Sequence, residues 1–255
     1  MPLPGFGADL LLADGVAAGG GGFSPANLSP AGWWDFTDAA HVLEGAGDPV
    51  ETNDDLVSQV DDLSANGHHL IQPTSGNRPL WKSAGYVEFP GTDEYLQVNA
   101  PGFSINPFEI YIVAEELGTN NYQGLVMFGR AAEGNDYDSP AALSINTRAG
   151  SNLVGVECNW AGADVGGFGQ LPKGVVRVSA TGSTIGVALN NGTLSTGSST
   201  PDSTHVGPFR VGARMGPGDY LYGRVFDIVL FGNLLSSGDR ADLLDYLYDK
   251  HGITP

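Results

Sequence analysis

The stretch "DDLSANGHHLIQ", Asp61 to Gln72, decides the fold prediction, because its residues suit either a catalytic centre or a turn. Asn66-Gly67 is typical of a turn with positive φ. The side chains of Asp62 and Ser64 can accept hydrogen bonds from turn amides. Successive strand residues point to opposite faces, so the pair His68-His69 cannot share one metal ion in the ordinary way. We therefore predict a turn that leads into a strand, with one histidine ring packed inward and the other facing water.

Short strand-like runs, separated by turn residues, fill most of the chain after this stretch. They cover residues 86–89, 95–98, 108–116, 124–130, 141–145, 153–160, 174–180, 185–190, 209–214 and 221–231. Asn191-Gly192 predicts a two-residue hairpin turn, because both central positions of a type I′ turn need positive φ. Strands at this spacing, with almost no helix between them, indicate an all-β fold: an antiparallel β-sandwich of jelly-roll type.

The end of the chain predicts one α-helix over residues 237–251. Ser236 or Ser237 is the expected N-cap and Gly252 the C-cap. Its predicted apolar stripe consists of Ala241, Leu244, Leu247 and Tyr248. This stripe is expected to pack across an edge or end of a sheet.

The first 30 residues are predicted to be an extended N-terminal docking arm. They contain one short apolar run, then four consecutive glycines and a proline-rich segment, and cannot bury enough surface to fold alone. The predicted docking contact is Leu10, Leu11 and Leu12. Residues 31–255 are the predicted sandwich domain.

The charge balance is strongly acidic, with a formal net charge of −18, and the first basic residue is Arg78. No segment forms the basic patch that phosphate-backbone binding needs, which excludes nucleic acid as a partner. No apolar run approaches the roughly 20 residues of a membrane-spanning helix, which argues against membrane insertion. The first residues lack the basic region of a secretory signal, so we expect no signal peptide. The lone Cys158 is predicted to be a buried, unreactive thiol.

Three motifs occur in a characteristic order. They are "WWDFTDAAHV" (33–42) with the segment 56–81 that follows it, "VEFPGTDEYLQV" (87–98), and the segment 209–252 that ends in the helix. Together they resemble the concanavalin A-like, laminin-G-like domains of bacterial and phage surface proteins, over about residues 31–254. The resemblance implies a concanavalin A-like β-sandwich. The chain departs from the pattern where Val60 replaces the usual Trp and Ala65 a Gly, and residues 117–208 match no motif of the family.

The same resemblance implies a non-enzymatic bacteriophage virion surface protein, either a head decoration or spike or a tail fibre component. It would be made in the host cytoplasm and released by lysis. Its partners would be other virion proteins, sister subunits (a trimer, from how fibres and spikes are commonly built) and host-surface glycans. Two alternatives stay open: a glycan-processing hydrolase of the same fold, and a structural cement protein without a ligand.

We expect no catalytic residues and no enzyme. A glycosidase needs two carboxylates roughly 5–10 Å apart, whereas Glu109 and Glu115 on one predicted strand are roughly 20 Å apart. The E-x-D-x-x-E pattern of laminarinase-type enzymes and the G-x-S-x-G nucleophile turn are both absent from the sequence.

Sugar binding needs aromatic faces beside amide or acid groups, since a sugar presents apolar C–H faces and hydroxyls. The predicted carbohydrate-binding residues are Tyr122, Tyr137, Asn159 and Trp160. Trp160 suits a core position at a strand end equally well.

No cofactor is predicted, although one acidic loop raises the question of Ca²⁺. Asn135, Asp136 and Asp138 place oxygen ligands at nearly alternate positions, as a calcium loop does. No Glu follows at the twelfth position of this loop, so a solvated acidic loop is the preferred interpretation and no firm metal site is predicted.

Overall fold

The computed structural model describes residues 22–45, 47–118, 122–129, 139–148, 153–166, 170–205, 207–214 and 219–255. The strands are β1 (Gly32–Asp35), β2 (Val42–Leu43), β3 (Gln59–Val60), β4 (Leu70–Ile71), β5 (Leu80–Lys82), β6 (Tyr86–Pro90), β7 (Leu96–Val98), β8 (Phe108–Glu116), β9 (Gln123–Phe128), β10 (Leu143–Arg148), β11 (Leu153–Cys158), β12 (Ala161–Gly166), β13 (Gly174–Thr181), β14 (Thr184–Leu189), β15 (Ser195–Ser198), β16 (Phe209–Val211) and β17 (Tyr222–Phe231). Two 3₁₀ turns, Pro25–Leu28 and Ser75–Asn77, and the helix α1 (Ser237–His251) complete the elements.

The strands form two antiparallel sheets, which confirms the predicted sandwich. The eight-stranded sheet has the order β15-β14-β13-β8-β17-β6-β5, and β1 pairs with the second half of β17. The nine-stranded sheet has the order β12-β11-β10-β9-β16-β7-β4-β3-β2. None of the helices among the described residues is long and apolar enough to cross a membrane.

Strand β8 explains why the segment "FEIYIVAEE" is apolar almost throughout. Ile110, Ile112 and Ala114 point into the core between the sheets, whereas Tyr111 and Val113 point to the other face of the same sheet. That other face is covered as well, and strands buried on both faces need a nearly continuous apolar run.

Helix α1 covers this second face. Leu243 and Leu247 pack with Tyr111, Val113 and Phe231 in one buried cluster. The predicted position across a sheet edge or end is therefore wrong, because the outward apolar side chains of β8 and β17 need a cover on the face itself.

The ends of α1 are where the sequence predicts them. Ser236 is the N-cap and accepts a hydrogen bond from the Asp239 amide at 3.1 Å, and Gly252 ends the helix with φ +61°. Ala241 is exposed and Leu243 is buried, so the apolar stripe differs by one member from the predicted one.

The N-terminal side of the described chain also touches the helix. The ring of Phe23 lies 5.9 Å from that of Tyr246, and Leu28 packs against the same cluster. The arm boundary at residue 30 stays a prediction. Leu10, Leu11 and Leu12 lie outside the described residues.

The stretch Asp61–Gln72 forms the predicted turn and strand. The buried carboxylate of Asp62 accepts hydrogen bonds from the amides of Trp33, Ser64 and His68, at 3.0, 2.9 and 2.9 Å. Burial alone would raise the pKa of Asp62, but these hydrogen bonds outweigh it and lower the pKa. The His68 ring packs edge-on against Phe103, with centroids 4.8 Å apart, whereas His69 is exposed, as predicted.

A buried ion cluster joins the end of α1 to the sheet beneath it. Lys250 Nζ lies 2.6 Å from Asp227 Oδ2 and 2.6 Å from Asp35 Oδ2. Asp227 also contacts His251 Nε2 at 3.2 Å and accepts a hydrogen bond from Trp33 Nε1 at 3.1 Å. Although burial alone would lower it, the two carboxylates raise the pKa of Lys250. Asp227 therefore binds three side chains: Trp33, Lys250 and His251.

The connection between β14 and β15 differs from the predicted hairpin. The Gly192 amide donates to the Leu189 carbonyl at 2.9 Å, so Asn190 and Asn191 are the central residues of the turn. Asn190 holds φ +52°, and its Oδ1 accepts a hydrogen bond from the Val175 amide at 2.8 Å. This contact to a neighbouring strand fixes the turn one residue earlier than Asn191-Gly192 predicts.

His205 is a fully buried histidine. Its Nε2 donates to the Gly129 carbonyl at 2.7 Å, and its ring packs edge-on against Phe128. Its Nδ1 accepts no hydrogen bond from any described residue. Burial lowers the pKa of His205 to about 4, although the bond to Gly129 opposes this shift.

This burial predicts an acid-dependent loss of stability. The folded protein keeps His205 neutral, whereas the unfolded chain takes up a proton below about pH 6.5, so stability falls between about pH 6.5 and pH 4. His205→Gln keeps a donor for Gly129 but does not titrate. Between pH 7 and pH 4, we expect the free energy of unfolding to fall by about 3 kcal/mol more in the wild type than in this variant. Urea unfolding at both pH values measures this. His69→Gln, at an exposed site, is the control, and an equal acid loss in the wild type and His205→Gln would contradict the prediction.

Candidate functional site

A row of side chains crosses the outer face of the nine-stranded sheet. Gln97, Arg210, Met127, Ser144 and Glu157 lie opposite one another on the successive strands β7, β16, β9, β10 and β11. Their neighbours along each strand belong to the core between the sheets. Because strand residues alternate between faces, the row points away from that core. We call this surface the site face.

Two carboxylates lie side by side on the site face. Glu157 on β11 is opposite Gly162, and Asp164 on β12 is opposite Gly155, so the two acids are diagonal neighbours. The Cβ atoms of such neighbours are roughly 7 Å apart. A Cβ atom at position 155 would lie 2.2 Å from Asp164 Oδ1, and one at position 162 would lie 3.3 Å from Glu157 Cγ. The glycines thus provide the space in which each carboxylate lies across the neighbouring strand.

Asn146 on β10 links this pair to the rest of the row. Its Nδ2 donates to Glu157 Oε2 at 3.3 Å and to Ser144 Oγ at 3.2 Å. It lies opposite Gly155, on the side of that glycine away from Asp164. The side chains of Asn146 and Ser144 are fully buried although they point away from the core.

A fixed positive charge lies three strands away from Glu157. The guanidinium of Arg210 lies 4.2 Å from the ring centroid of Tyr95. It donates to Gln97 Oε1 at 3.0 Å and to the Arg214 carbonyl at 3.2 Å. The site face therefore carries carboxylates at one side and a guanidinium at the other, roughly 14 Å away at ordinary strand spacing.

The predicted sugar-binding residues Asn159 and Trp160 form the tip of the β11–β12 hairpin. Cys158 pairs with Ala161, so these two residues are the whole connection, and both have positive φ, +50° and +61°. This is the backbone of a type I′ turn, in which Gly normally follows Asn. The Trp160 side chain is 69% exposed, so it is not a core residue. A bulky side chain at positive φ is a strained arrangement of the kind found at functional sites.

Tyr122 lies at the opposite end of the sheet. It precedes β9, whose first residue Gln123 is opposite Thr147, whereas Trp160 follows the other end of β11. The Tyr122 ring is 47% exposed, and its centroid lies 5.7 Å from the Arg214 guanidinium. Six strand residues separate the two ends, roughly 20 Å, so the structure does not bring Tyr122 and Trp160 together. Their sugar-binding role stays a prediction.

The other residues singled out in the sequence are Tyr137, the calcium candidates and Cys158. Tyr137 and the calcium candidates Asn135, Asp136 and Asp138 lie outside the described residues. Within the described ranges, no group of three or more His, Cys, Asp or Glu side chains could hold a metal ion. Cys158 is fully buried, and burial raises the pKa of its thiol, as expected for an unreactive cysteine.

The two glutamates of β8 have structural partners. Glu109 accepts hydrogen bonds from the Leu235 amide at 2.9 Å and from Arg240 Nε at 2.9 Å. Glu115 is paired with Arg224 at 3.0 Å. The sequence did not single out the neighbouring acids Glu157 and Asp164. A hairpin at Asn159-Trp160 would have brought them together, but a Trp in the position where Gly is usual conceals that turn.

Solved structures of other proteins share this fold. No family model matches the chain, and no curated protein matches it. Among solved structures, an arabinofuranosidase complexed with arabinofuranosyl-α-1,2-xylobiose matches 88% of the chain with a TM-score of 0.61 and 14% identity. A Trypanosoma rangeli sialidase matches 84% of it with a TM-score of 0.58 and 12% identity. The matches span 64% of the arabinofuranosidase and 32% of the sialidase. At these identities they show a shared β-sandwich fold.

These structures correct one expectation from the sequence. The chain was expected not to be an enzyme, because no strand carries an acid pair at glycosidase spacing. The arabinofuranosidase and the sialidase share the sandwich over most of this chain, so that expectation is contradicted. The expectation considered acids along single strands, whereas a sheet can also bring acids together across two strands.

Proposed function

We propose that this protein is a carbohydrate-active β-sandwich that binds a glycan at the Glu157 and Asp164 side of the site face and hydrolyses a glycosidic bond with these two acids. The observation that carries the proposal is the diagonal placement of these two carboxylates, each lying across a glycine of the neighbouring strand. Both are half-buried, so they are held by the protein yet border the surface.

The spacing of the pair suits this chemistry. Glycoside hydrolysis uses two carboxyl groups roughly 5–10 Å apart: one protonates the leaving oxygen, and the other activates water or attacks the sugar carbon. Acids separated by roughly 7 Å between Cβ atoms can reach this range with ordinary side-chain rotamers. The fold of the matched arabinofuranosidase and sialidase supports the same class of function.

The charge of the protein favours a neutral substrate. A net charge of −18 repels a polyanionic chain at a distance, and the carboxylate pair adds to this locally. We therefore place neutral glycosides ahead of sialylated ones.

The test is hydrolysis of a panel of 4-nitrophenyl glycosides and neutral polysaccharides, with α-L-arabinofuranosides among them and a sialoside for contrast. We expect release of 4-nitrophenol or reducing ends from at least one neutral substrate. The double variant Glu157→Gln/Asp164→Asn is the matched control. Release no faster than this control across the whole panel would overturn the proposal.

Trp160 is the proposed stacking platform for a sugar ring, with Asn159 beside it. We expect Trp160→Gly to raise the Kd for a bound glycan about tenfold, because it removes an exposed aromatic face. The same change should raise folding stability by about 1 kcal/mol, since glycine tolerates positive φ. Isothermal titration calorimetry and urea unfolding measure the two effects. Trp160→Phe, which keeps an aromatic face, is the control, and unchanged glycan affinity in Trp160→Gly would rule out the platform.

We also propose a phage virion surface as the setting of this activity, supported by the three ordered motifs at 33–81, 87–98 and 209–252. Sister subunits, other virion proteins and a host-surface glycan would be the partners. Mass spectrometry of purified particles tests this, and absence of the chain from particles of a virus that encodes it would contradict the setting.

A further inference from the structure

The Asn146 side chain donates two hydrogen bonds but accepts none from the described residues. Its Nδ2 donates to both Glu157 Oε2 and Ser144 Oγ. Its Oδ1 is buried and accepts a hydrogen bond from no residue that the structure describes. The whole side chain is shielded from solvent. A buried acceptor without a donor destabilises a fold, so the position of this residue is unfavourable for stability alone.

The orientation of the amide follows from its neighbours. Rotating the amide group by 180° would place Oδ1 against the carboxylate oxygen of Glu157, and two acceptors repel each other. The contact with Glu157 thus fixes the amide in the orientation that leaves Oδ1 without a donor. An apolar side chain of similar size, such as leucine, would avoid that penalty.

We propose that Asn146 is a positioning residue that aims the Glu157 carboxylate on the site face, at the expense of folding stability. The Nδ2 of Asn146 donates to Glu157 Oε2 and so fixes the direction of this carboxylate. In the proposed reaction we assign Glu157 the role of base or nucleophile, because it is the acid that Asn146 aims, and Asp164 the role of proton donor. This inference rests on the proposed function for its catalytic meaning.

Thr147, the next residue on β10, offers a matched control. Its Oγ1 donates to Glu116 Oε1 at 2.8 Å, on the opposite face of the strand and inside the sandwich. Asn146→Leu and Thr147→Val each remove one side-chain donor to a carboxylate. The Asn146 donor binds Glu157 on the site face, whereas the Thr147 donor binds Glu116, a buried acid inside the sandwich.

On a hydrolysed glycoside, we expect Asn146→Leu to lower kcat about 10- to 100-fold with KM changed less than threefold. Its Tm should stay unchanged or rise. Thr147→Val should lower Tm and leave kcat unchanged. If Asn146→Leu instead behaves like Thr147→Val, Asn146 is a structural residue and the inference is wrong.

A folding measurement separates this inference from the proposed function. A double-mutant cycle of Asn146→Leu and Glu157→Leu in urea should show a coupling of about tenfold in the folding equilibrium constant at pH 7. If coupling is found but no hydrolase activity, the proposed reaction is overturned, whereas the stabilising contact between Asn146 and Glu157 is supported. Absence of coupling at pH 7 would overturn the inference even in an active enzyme.

Discussion

Glu157→Gln is expected to lower kcat on a hydrolysed glycoside about 1000-fold while leaving KM nearly unchanged. Glutamine keeps the size of the side chain and its hydrogen bond from Asn146, but it has no charge and cannot act as base or nucleophile. Removal of a positioned acid–base group costs roughly 100- to 10,000-fold in rate. Asp164→Asn should reduce kcat to a similar degree, and less for substrates with good leaving groups such as 4-nitrophenol, because these need little protonation.

Steady-state kinetics with a 4-nitrophenyl glycoside and an unactivated oligosaccharide measures both effects. Glu115→Gln is the matched control, since Glu115 lies on the other sheet in an ion pair with Arg224. If Glu157→Gln and Glu115→Gln retain the same rate, Glu157 has no part in the chemistry. Circular dichroism of each variant shows whether the sandwich is intact.

The largest loss of stability is expected for Asp227→Ala. The change removes the partner that Trp33, Lys250 and His251 share beneath helix α1. Lys250 keeps Asp35 as its partner, but the buried Trp33 Nε1 and His251 Nε2 lose their acceptor. Each buried donor left unpaired costs about 1–3 kcal/mol, so we expect a loss of about 3–5 kcal/mol. For a protein of this size, that corresponds to a fall in Tm of roughly 6–20 °C.

Urea unfolding at pH 7 measures this loss against Asp249→Asn, an acid on the exposed side of the same helix. The control should change stability by less than about 0.5 kcal/mol. Equal stability of the two variants would show that the ion cluster does not anchor the helix.

Much of the fold follows from the sequence, because burial and turn chemistry leave local signals. The run Phe108–Glu116 is apolar on both faces and becomes a strand covered on both faces. The cap residues Ser236 and Gly252 bound the helix where the sequence places it. Even the turn before His68 is recognisable, since Asp62 and Ser64 are residues that bind turn amides.

The candidate site is much harder to predict, because it depends on the register between strands. Glu157 and Asp164 are seven residues apart and become neighbours only through a two-residue turn. Trp160 gives no turn signal, since the second position of that turn normally requires glycine. Tyr122 and Trp160 are both exposed aromatics, yet the register places them at opposite ends of the sheet. A shift of one residue in pairing would have moved every one of these side chains to the other face.

The hairpin tip also gives the protein an intrinsic optical reporter. Its four tryptophans are Trp33, Trp34, Trp81 and Trp160, and the first three are at most 9% exposed. Collisional quenchers such as iodide therefore act on essentially one fluorophore, at the rim of the site face. The part of the emission that iodide quenches therefore comes from Trp160. We expect a glycan on the proposed platform to reduce this part, which can be followed without a label and without a chromogenic substrate.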